Sequence, residues 1–169
     1  RGTLDDKGNV VAIMEALEPD MLQFHGEEEP RRVADVRARY ERPVMKAIGV
    51  STAADIGRHE AYRFVSDRVL FDAKAPADAA HPGGNGQAFD WSLLTGIDVG
   101  QPMMLSGGLD ATNVARAIAV TGAPGVDVSS GVESAPGEKD PRRIAAFVAA
   151  ARAADKARSP GSAPTTQRP

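Results

Sequence analysis

The feature of this sequence that most constrains its fold is the alternation of short apolar runs with longer amphipathic segments. Five runs have the length and composition of buried strands: Met21–Phe24, Val44–Ile48, Val69–Phe71, Met103–Leu105 and Val126–Val128. Each interval between them leaves room for a helix and two loops. This pattern is typical of parallel α/β proteins, in which every strand is followed by a helix.

Three of the other segments carry helix signals. One helix is predicted after Pro30, a second between Asp110, as its N-cap, and Gly122, and a third after Asp140 and Pro141. Apolar residues recur at helical spacing in them: Val33, Val36 and Tyr40; Val114, Ala117 and Ile118; Ile144, Phe147, Val148 and Ala151. Residues 156–169 are rich in Ser, Pro, Thr and charge, so we expect a domain over residues 1–155 and a disordered tail after it.

Length and composition exclude several classes of protein. The 169 residues, 42% of them hydrophobic, suffice for one sizeable core. A formal charge of -3 offers no broad basic surface to nucleic acid or to an anionic membrane. No apolar run approaches the roughly 18 residues of a membrane span. The sequence has no cysteine, which excludes a disulfide or a cysteine nucleophile within it. We therefore expect a cytoplasmic protein that acts on a small molecule.

Two turns rich in glycine and serine follow the last two predicted strands. The first is Ser106-Gly107-Gly108, and the second is Ser129-Ser130-Gly131. The last two such loops of parallel α/β barrels commonly bind phosphate, because glycine lets the backbone approach and N–H groups supply positive charge. Either turn alone could be an ordinary turn, but the pair in succession predicts an anion site.

Other polar residues lie in or directly after the predicted strands, and active sites of parallel α/β proteins gather at strand carboxyl ends. Asp72 is placed either as a general acid or base, or as a carboxylate that caps a loop or pairs with Lys74. His25 either orients a ligand or fills a hydrogen-bonded niche. Lys46 either faces the interior or pairs with a carboxylate. Asp127 falls in an apolar strand, where a buried carboxylate needs a partner or a ligand hydroxyl.

The longest interval contains a loop, residues 73–90, with the sequence AKAPADAAHPGGNGQAFD. Compact α/β domains seldom hold a loop of this length unless it is a lid or a binding loop. Gly83, Gly84 and Gly86 make it pliable. The loop is therefore either a lid over a site that includes Asp72 or an insertion without a function.

Several stretches together resemble the phosphoribosylanthranilate isomerases, which are (βα)8-barrel enzymes of tryptophan biosynthesis. The matching stretches are LQFHGEE, FDAKAP, GGNGQAFDWSLL, LSGGLDATNVARAI and VDVSSGVESAPGEKD, in the family's order and spacing from about residue 10 to residue 152. The resemblance implies an α/β fold of the TIM barrel family. It also implies an N-terminally truncated version with about five βα units, the fourth to the eighth.

The resemblance implies a role for each candidate residue. Asp72 would be the general acid that helps to open the ribose ring. His25 and Asp127 would lie beside the substrate, and the loop with Gly83, Gly84 and Gly86 would close over it. The ribose phosphate would be held by Gly107, Gly108, Ser129, Ser130 and Gly131.

The implied reaction is an Amadori rearrangement of N-(5-phosphoribosyl)anthranilate to 1-carboxyphenylamino-1-deoxyribulose 5-phosphate. It needs an acid and a base, and the family uses no metal or organic cofactor. The full-length protein is expected to be a monomer or a homodimer.

The sequence departs from the family in two residues of the early strands. The cysteine base of a Lys-Ile-Cys-Gly type motif and an early substrate-binding arginine have no counterpart here, so we expect negligible turnover from this chain alone. The alternatives are another phosphate-binding barrel enzyme of sugar or amino-acid metabolism, and a non-catalytic fragment that needs a partner.

Overall fold

The structure is a computed structural model that describes residues 9–74 and 88–158. Within these ranges, five strands form one parallel sheet, and their spatial order is their order along the chain. The strands are β1 (Leu22–Phe24), β2 (Val44–Val50), β3 (Arg68–Ala73), β4 (Met103–Leu105) and β5 (Gly125–Val126). Because all five run in the same direction, their carboxyl ends lie along one edge of the sheet.

Helical segments connect the strands, as the alternating pattern predicts. The α-helices are α1 (Asn9–Leu17), α2 (Pro30–Tyr40), α3 (Ala53–Gly57), α4 (Val114–Thr121) and α5 (Pro141–Arg158), and shorter 3₁₀ segments span Arg58–Tyr62, Trp91–Leu94 and Ser130–Val132. An antiparallel hairpin of β6 (Glu133–Ala135) and β7 (Glu138–Lys139) lies between β5 and α5. In the described ranges, no helix is both long enough and apolar enough to cross a bilayer.

The two faces of the sheet bury different residues, because side chains alternate along each strand. One face packs on the helices and forms the larger part of the core, with Ile48, Val50, Val69, Phe71 and Leu105. The opposite face carries a smaller cluster of Met45, Ala47 and Leu70. Asp72 and Ser106 continue that second face past Leu70 and Met104, since they stand two residues further along the chain.

The prediction of five parallel strands is confirmed, but some strand bounds change. Strands β2 and β3 each extend two residues beyond the predicted ends. The fifth strand ends at Val126, so the expectation that Asp127 lies inside a strand is wrong. Pro124 has no N–H for the ladder and the chain turns again at Ser129, which limits β5 to two residues. The Asp127 N–H still donates to Leu105 O, at 2.8 Å.

The predicted helix after Asp110 begins later than expected, at Val114. The Asp110 carboxylate accepts from the N–H groups of Thr112, at 2.7 Å, and Asn113, at 3.1 Å. These bonds close a separate turn ahead of the helix, so Asp110 is not its N-cap. Gly122 ends the helix as predicted, with a φ of 67° that suits glycine.

The last helix begins at Pro141 as predicted, but it continues to Arg158. Residues 156–158 of the expected tail are therefore helical. The Arg158 guanidinium donates to Gly122 O, which ties the end of α5 to the end of α4. Residues 159–169 and the glycines of the predicted lid, Gly83, Gly84 and Gly86, lie outside the described residues.

The apolar stripe predicted for α5 is only partly buried. Phe147 is 5% exposed, whereas Ile144 and Val148 are 40% and 37% exposed. Helix α1 was not predicted, although its Val10 is buried against Leu22 and Phe24 of β1.

Candidate active site

A pocket at the carboxyl edge of the sheet brings most of the predicted site residues together. It is lined by Asp72, the last residue but one of β3, by residues 106–109 after β4 and by residues 127–130 after β5. These positions meet because the ends of three neighbouring parallel strands share one edge. The enclosed volume is only about 10 Å³, roughly the room for one water. The space inside the pocket is therefore too small to enclose a larger group.

The two turns predicted to bind phosphate are in direct contact. A Cβ atom at Gly131 would stand 1.9 Å from Leu109 O, so only glycine allows this approach. A Cβ atom at Gly107 would stand 2.3 Å from Ala73 N, and its φ is +89°. Gly131 is thus required by the packing of one turn on the other and does not line the pocket wall. Gly107 brings the first turn next to the residue that follows Asp72.

The backbone N–H groups of both turns are available to a ligand. Within residues 9–74 and 88–158, the N–H groups of Gly107, Gly108, Ser129, Ser130 and Gly131 donate to no other protein group. A buried or half-buried N–H without a protein partner needs water or a ligand. Clustered N–H groups of this kind attract anions.

A lysine that sequence reasoning did not single out fixes the second turn. Lys139, at the end of the β6–β7 hairpin, donates to Ser129 O at 2.8 Å and to Glu133 Oε1 at 2.5 Å. The Lys139 bond and the Gly137 N–H lower the pKa of Glu133. The hairpin therefore places an ammonium group, paired with the Glu133 carboxylate, against the carbonyl of Ser129. Lys139 is visible in the sequence as the lysine of GEKD, but its contact with Ser129 arises only because the hairpin turns the chain back.

Asp72 is buried beside His25. Its residue exposure is 4%, and its Oδ2 lies 3.3 Å from His25 Nε2. The alternative pairing of Asp72 with Lys74 is not seen, since the Lys74 ammonium lies 3.6 Å from Asp55 instead. The carboxylate and the imidazole are thus close to each other, but His25 lines a neighbouring cavity with Lys46 and Tyr62 and not the pocket of the two turns.

Asp127 has the partner that its half-buried carboxylate requires. The Ser106 hydroxyl donates to Asp127 Oδ2 at 3.2 Å, which joins the ends of β4 and β5. The other carboxylate oxygen, Oδ1, has no protein donor in the described ranges and is able to accept from a ligand hydroxyl.

Lys46 pairs with a carboxylate and does not face the pocket of Asp72. It lies in β2 on the side of the sheet that packs against Tyr62, and its ammonium donates to Glu28 Oε2 at 2.9 Å. Sequence reasoning left Lys46 undecided and did not single out Glu28. In the sequence, Glu28 stands out only as one of the two adjacent glutamates of HGEE. Its partner Lys46 lies in the next strand, β2, and sequence spacing does not reveal that contact.

The family model for N-(5'-phosphoribosyl)anthranilate (PRA) isomerase matches residues 5–150. An N-(5'-phosphoribosyl)anthranilate isomerase of Azorhizobium caulinodans is 56% identical over 92% of this chain and 68% of the relative. The chain thus spans about two thirds of the length of that relative.

Solved structures agree with this match. Monomers of a dimeric phosphoribosylanthranilate isomerase from Thermotoga maritima superpose with a TM-score of 0.75 and 33% identity, over 90% of this chain and 70% of theirs. A phosphoribosylanthranilate isomerase in complex with reduced 1-(o-carboxyphenylamino)-1-deoxyribulose 5-phosphate gives a TM-score of 0.74 and 32% identity, over 90% and 69%. With its parallel α/β sheet and its pocket at the strand ends, the chain belongs to the N-(5'-phosphoribosyl)anthranilate isomerases, enzymes of tryptophan biosynthesis.

Proposed function

We propose that this chain binds the phosphoribosyl group of N-(5'-phosphoribosyl)anthranilate at the two contacting turns. The observation that carries the proposal is the set of N–H groups at Gly107, Gly108, Ser129, Ser130 and Gly131, which have no protein acceptor in the described ranges. Four of these residues, Gly107, Gly108, Ser129 and Ser130, line one pocket together with Asp72. Gly131 lies outside this lining, and its lack of a side chain allows the two turns to touch.

Asp72 acts as the general acid in this proposal. Its carboxylic acid donates a proton to the ring oxygen of the ribose, the bond from C1 to that oxygen breaks, and an iminium forms at C1. Removal of the proton from C2 then gives an enolamine, which tautomerises to the aminoketose. Burial of Asp72 suits this role, since a proton donor positioned in a site with little water is effective in a transition state.

His25 and Asp127 position the substrate around this acid. His25 lies 3.3 Å from the Asp72 carboxylate and is 21% exposed at its side chain, so it reaches both the acid and a ligand. Asp127 uses one oxygen for Ser106 and offers the other to a ribose hydroxyl. The segment with Gly83, Gly84 and Gly86 remains part of the proposal as a covering loop.

The cysteine base that the resemblance implies for removal of the C2 proton has no counterpart in this sequence, which has no cysteine. Loss of one member of an acid–base pair typically costs on the order of 10² to 10⁴ in rate. We therefore expect turnover by the chain alone to be lower than that of its relatives by about this factor. An isomerase assay that gives equal turnover would contradict this expectation.

The five strands correspond, in this proposal, to five consecutive units of a (βα)8 barrel. Two facts support it: among the strands of residues 9–74 and 88–158, β1 and β5 each have only one neighbour in the sheet, and the chain spans 68% of the A. caulinodans relative. A barrel of eight strands has no free edge. We extend the proposal to a cytoplasmic protein that is a monomer or a homodimer when its barrel is complete, which analytical ultracentrifugation of the full-length protein would test.

The proposed substrate is tested by calorimetry with a product analogue. Reduced 1-(o-carboxyphenylamino)-1-deoxyribulose 5-phosphate should bind this chain, and the same compound without its phosphate should bind at least tenfold more weakly. Equal affinities would contradict a phosphate site at the turns. Absence of binding by both compounds would contradict the proposed substrate.

A further inference from the structure

The most deeply buried cation in the described ranges has no part in the proposed chemistry. Lys46 is 2% exposed, and it lies in β2 among residues of the core. Transfer of an ammonium group from water to the protein interior costs free energy unless the group is paired and hydrogen-bonded. Replacing a buried ion pair by apolar residues is often neutral or stabilising, so stability alone does not account for a lysine here.

The Lys46 ammonium holds the segment that follows β1. It donates to Glu28 Oε2 at 2.9 Å and to Gly26 O at 2.5 Å. The Glu28 carboxylate in turn accepts from Gly26 N, with distances of 3.1 and 3.0 Å to its two oxygens. The Tyr62 hydroxyl donates to Glu28 O at 2.8 Å, and its ring centre lies 5.4 Å from the same ammonium. Both backbone groups of Gly26 are thereby fixed.

His25 is the one residue between this fixed segment and the end of β1 at Phe24. Phe24 is fully buried and paired with Lys46 in the register of the sheet. The backbone of His25 is therefore held on both sides, and its imidazole is directed to Asp72, with 3.3 Å between Nε2 and Oδ2. A shift of Gly26 would move His25 as well, because the two residues are adjacent in the chain.

We propose that Lys46 and Glu28 form a positioning pair that holds His25 against Asp72. The pair touches neither the pocket nor the phosphate turns, so it acts through His25. Its importance for catalysis rests on the proposed role of Asp72, whereas its effect on the geometry of His25 does not.

The proposal is tested by NMR of the His25 ring in the full chain. The ring ¹⁵N and ¹³C signals are assigned with His25→Gln, and Asp72→Asn shows the shift that loss of the carboxylate produces. Lys46→Met and Glu28→Gln should both shift the His25 signals. Glu28→Gln keeps the shape of the side chain and an oxygen for Gly26 N, so it decides the matter if Lys46→Met does not fold.

The matched control is Arg37→Met, which removes an ion pair with Asp67, at 2.5 Å, at the opposite edge of the sheet, where Val44 N at the start of β2 donates to the same carboxylate. It should leave the His25 signals in place, because that edge holds the amino ends of the strands. Unchanged His25 signals in folded Glu28→Gln would overturn the proposal, and so would an equal shift in Arg37→Met. Phosphate affinity should change less than twofold in Glu28→Gln, and a larger loss would also overturn it, since the pair would then act on the whole site.

A failure of the proposed function would have a different signature. In that case the wild-type chain would not bind the product analogue, while the dependence of the His25 signals on Glu28 and Lys46 would persist.

Discussion

Gly131 packs directly on the carbonyl of Leu109, with no room for a side chain between the two turns. This contact fixes the separation of the turns and thereby the spacing of their free N–H groups. The two glycine-rich stretches, more than twenty residues apart in sequence, thus form one surface.

Gly131→Ala should destabilise the protein and weaken phosphate binding. Its Cβ would stand 1.9 Å from Leu109 O, which is backbone and cannot give way without moving the first turn. Overpacking of this kind costs typically about 1–3 kcal/mol. Chemical denaturation measures the loss. Gly57→Ala is the control, since a Cβ there meets nothing within 4 Å, and it should be neutral or slightly stabilising. Equal effects of the two variants would contradict the packing role of Gly131.

Lys139→Met should lower the affinity for inorganic phosphate. The side chain of Lys139 is 45% exposed, so water screens its charge. We therefore expect the free energy of phosphate binding to weaken by about 1 kcal/mol. Calorimetric titration measures the change. Lys156→Met, in the last turn of α5, should leave the affinity unchanged. A phosphate affinity in Lys139→Met equal to that of the wild type would remove Lys139 from the site.

Asp72→Asn should lower the rate of isomerisation without lowering the affinity for the product analogue. An amide keeps the shape of the carboxyl group but cannot donate its proton to the ring oxygen, and such losses amount to about 10² to 10⁴ in rate. Single-turnover assays at high protein concentration give the rate. Asp98→Asn, on an exposed loop before β4, is the control and should react as the wild type does. A rate in Asp72→Asn within threefold of the wild type would show that Asp72 is not the acid.

Asp55 should make stability depend on pH in the acid range. Its Oδ2 accepts from Ser51 N at 3.0 Å and from Thr52 N at 2.9 Å, and the hydrogen bond from Ser51 N is the largest cause that holds the pKa of Asp55 well below its usual range. Because the folded pKa is the lower one, the stabilisation is present above the unfolded pKa of about 3.9 and is lost as the pH falls below it.

Asp55→Asn should therefore be less stable than the wild type by about 1 kcal/mol at pH 7. The difference should shrink progressively below about pH 4. Urea denaturation at pH 7, 5, 4 and 3 measures it. A stability difference between the two proteins that stays constant from pH 7 to pH 3 would contradict a lowered pKa of Asp55 in the folded state.

The sequence was sufficient for features that depend on the position of a residue relative to a strand. Asp72, Ser106 and Asp127 follow consecutive apolar runs, and parallel strands bring such residues to one edge whatever the details of packing. The expectation that the two turns lie next to each other is confirmed, for the same reason. The expectation that Asp127 lies inside a strand was wrong, because β5 ends at Val126 and the chain turns shortly afterwards, at Ser129.

Features that depend on tertiary contacts were not predictable. Lys46 pairs with Glu28 eighteen residues earlier, and Lys139 returns to Ser129 only because a hairpin with a glycine turn lies between them. The helical period does not show which face of α5 is covered, so Ile144 and Val148 were expected to be buried and are partly exposed.

The central claim is that the amides of two contacting turns bind a phosphate beside Asp72. An NMR titration of the ¹⁵N-labelled chain with inorganic phosphate tests it most directly. We predict saturable shifts of the amide signals of Gly107, Gly108, Ser129, Ser130 and Gly131 with one common dissociation constant. Shifts confined to other parts of the chain, or two turns that respond with different constants, would contradict the claim.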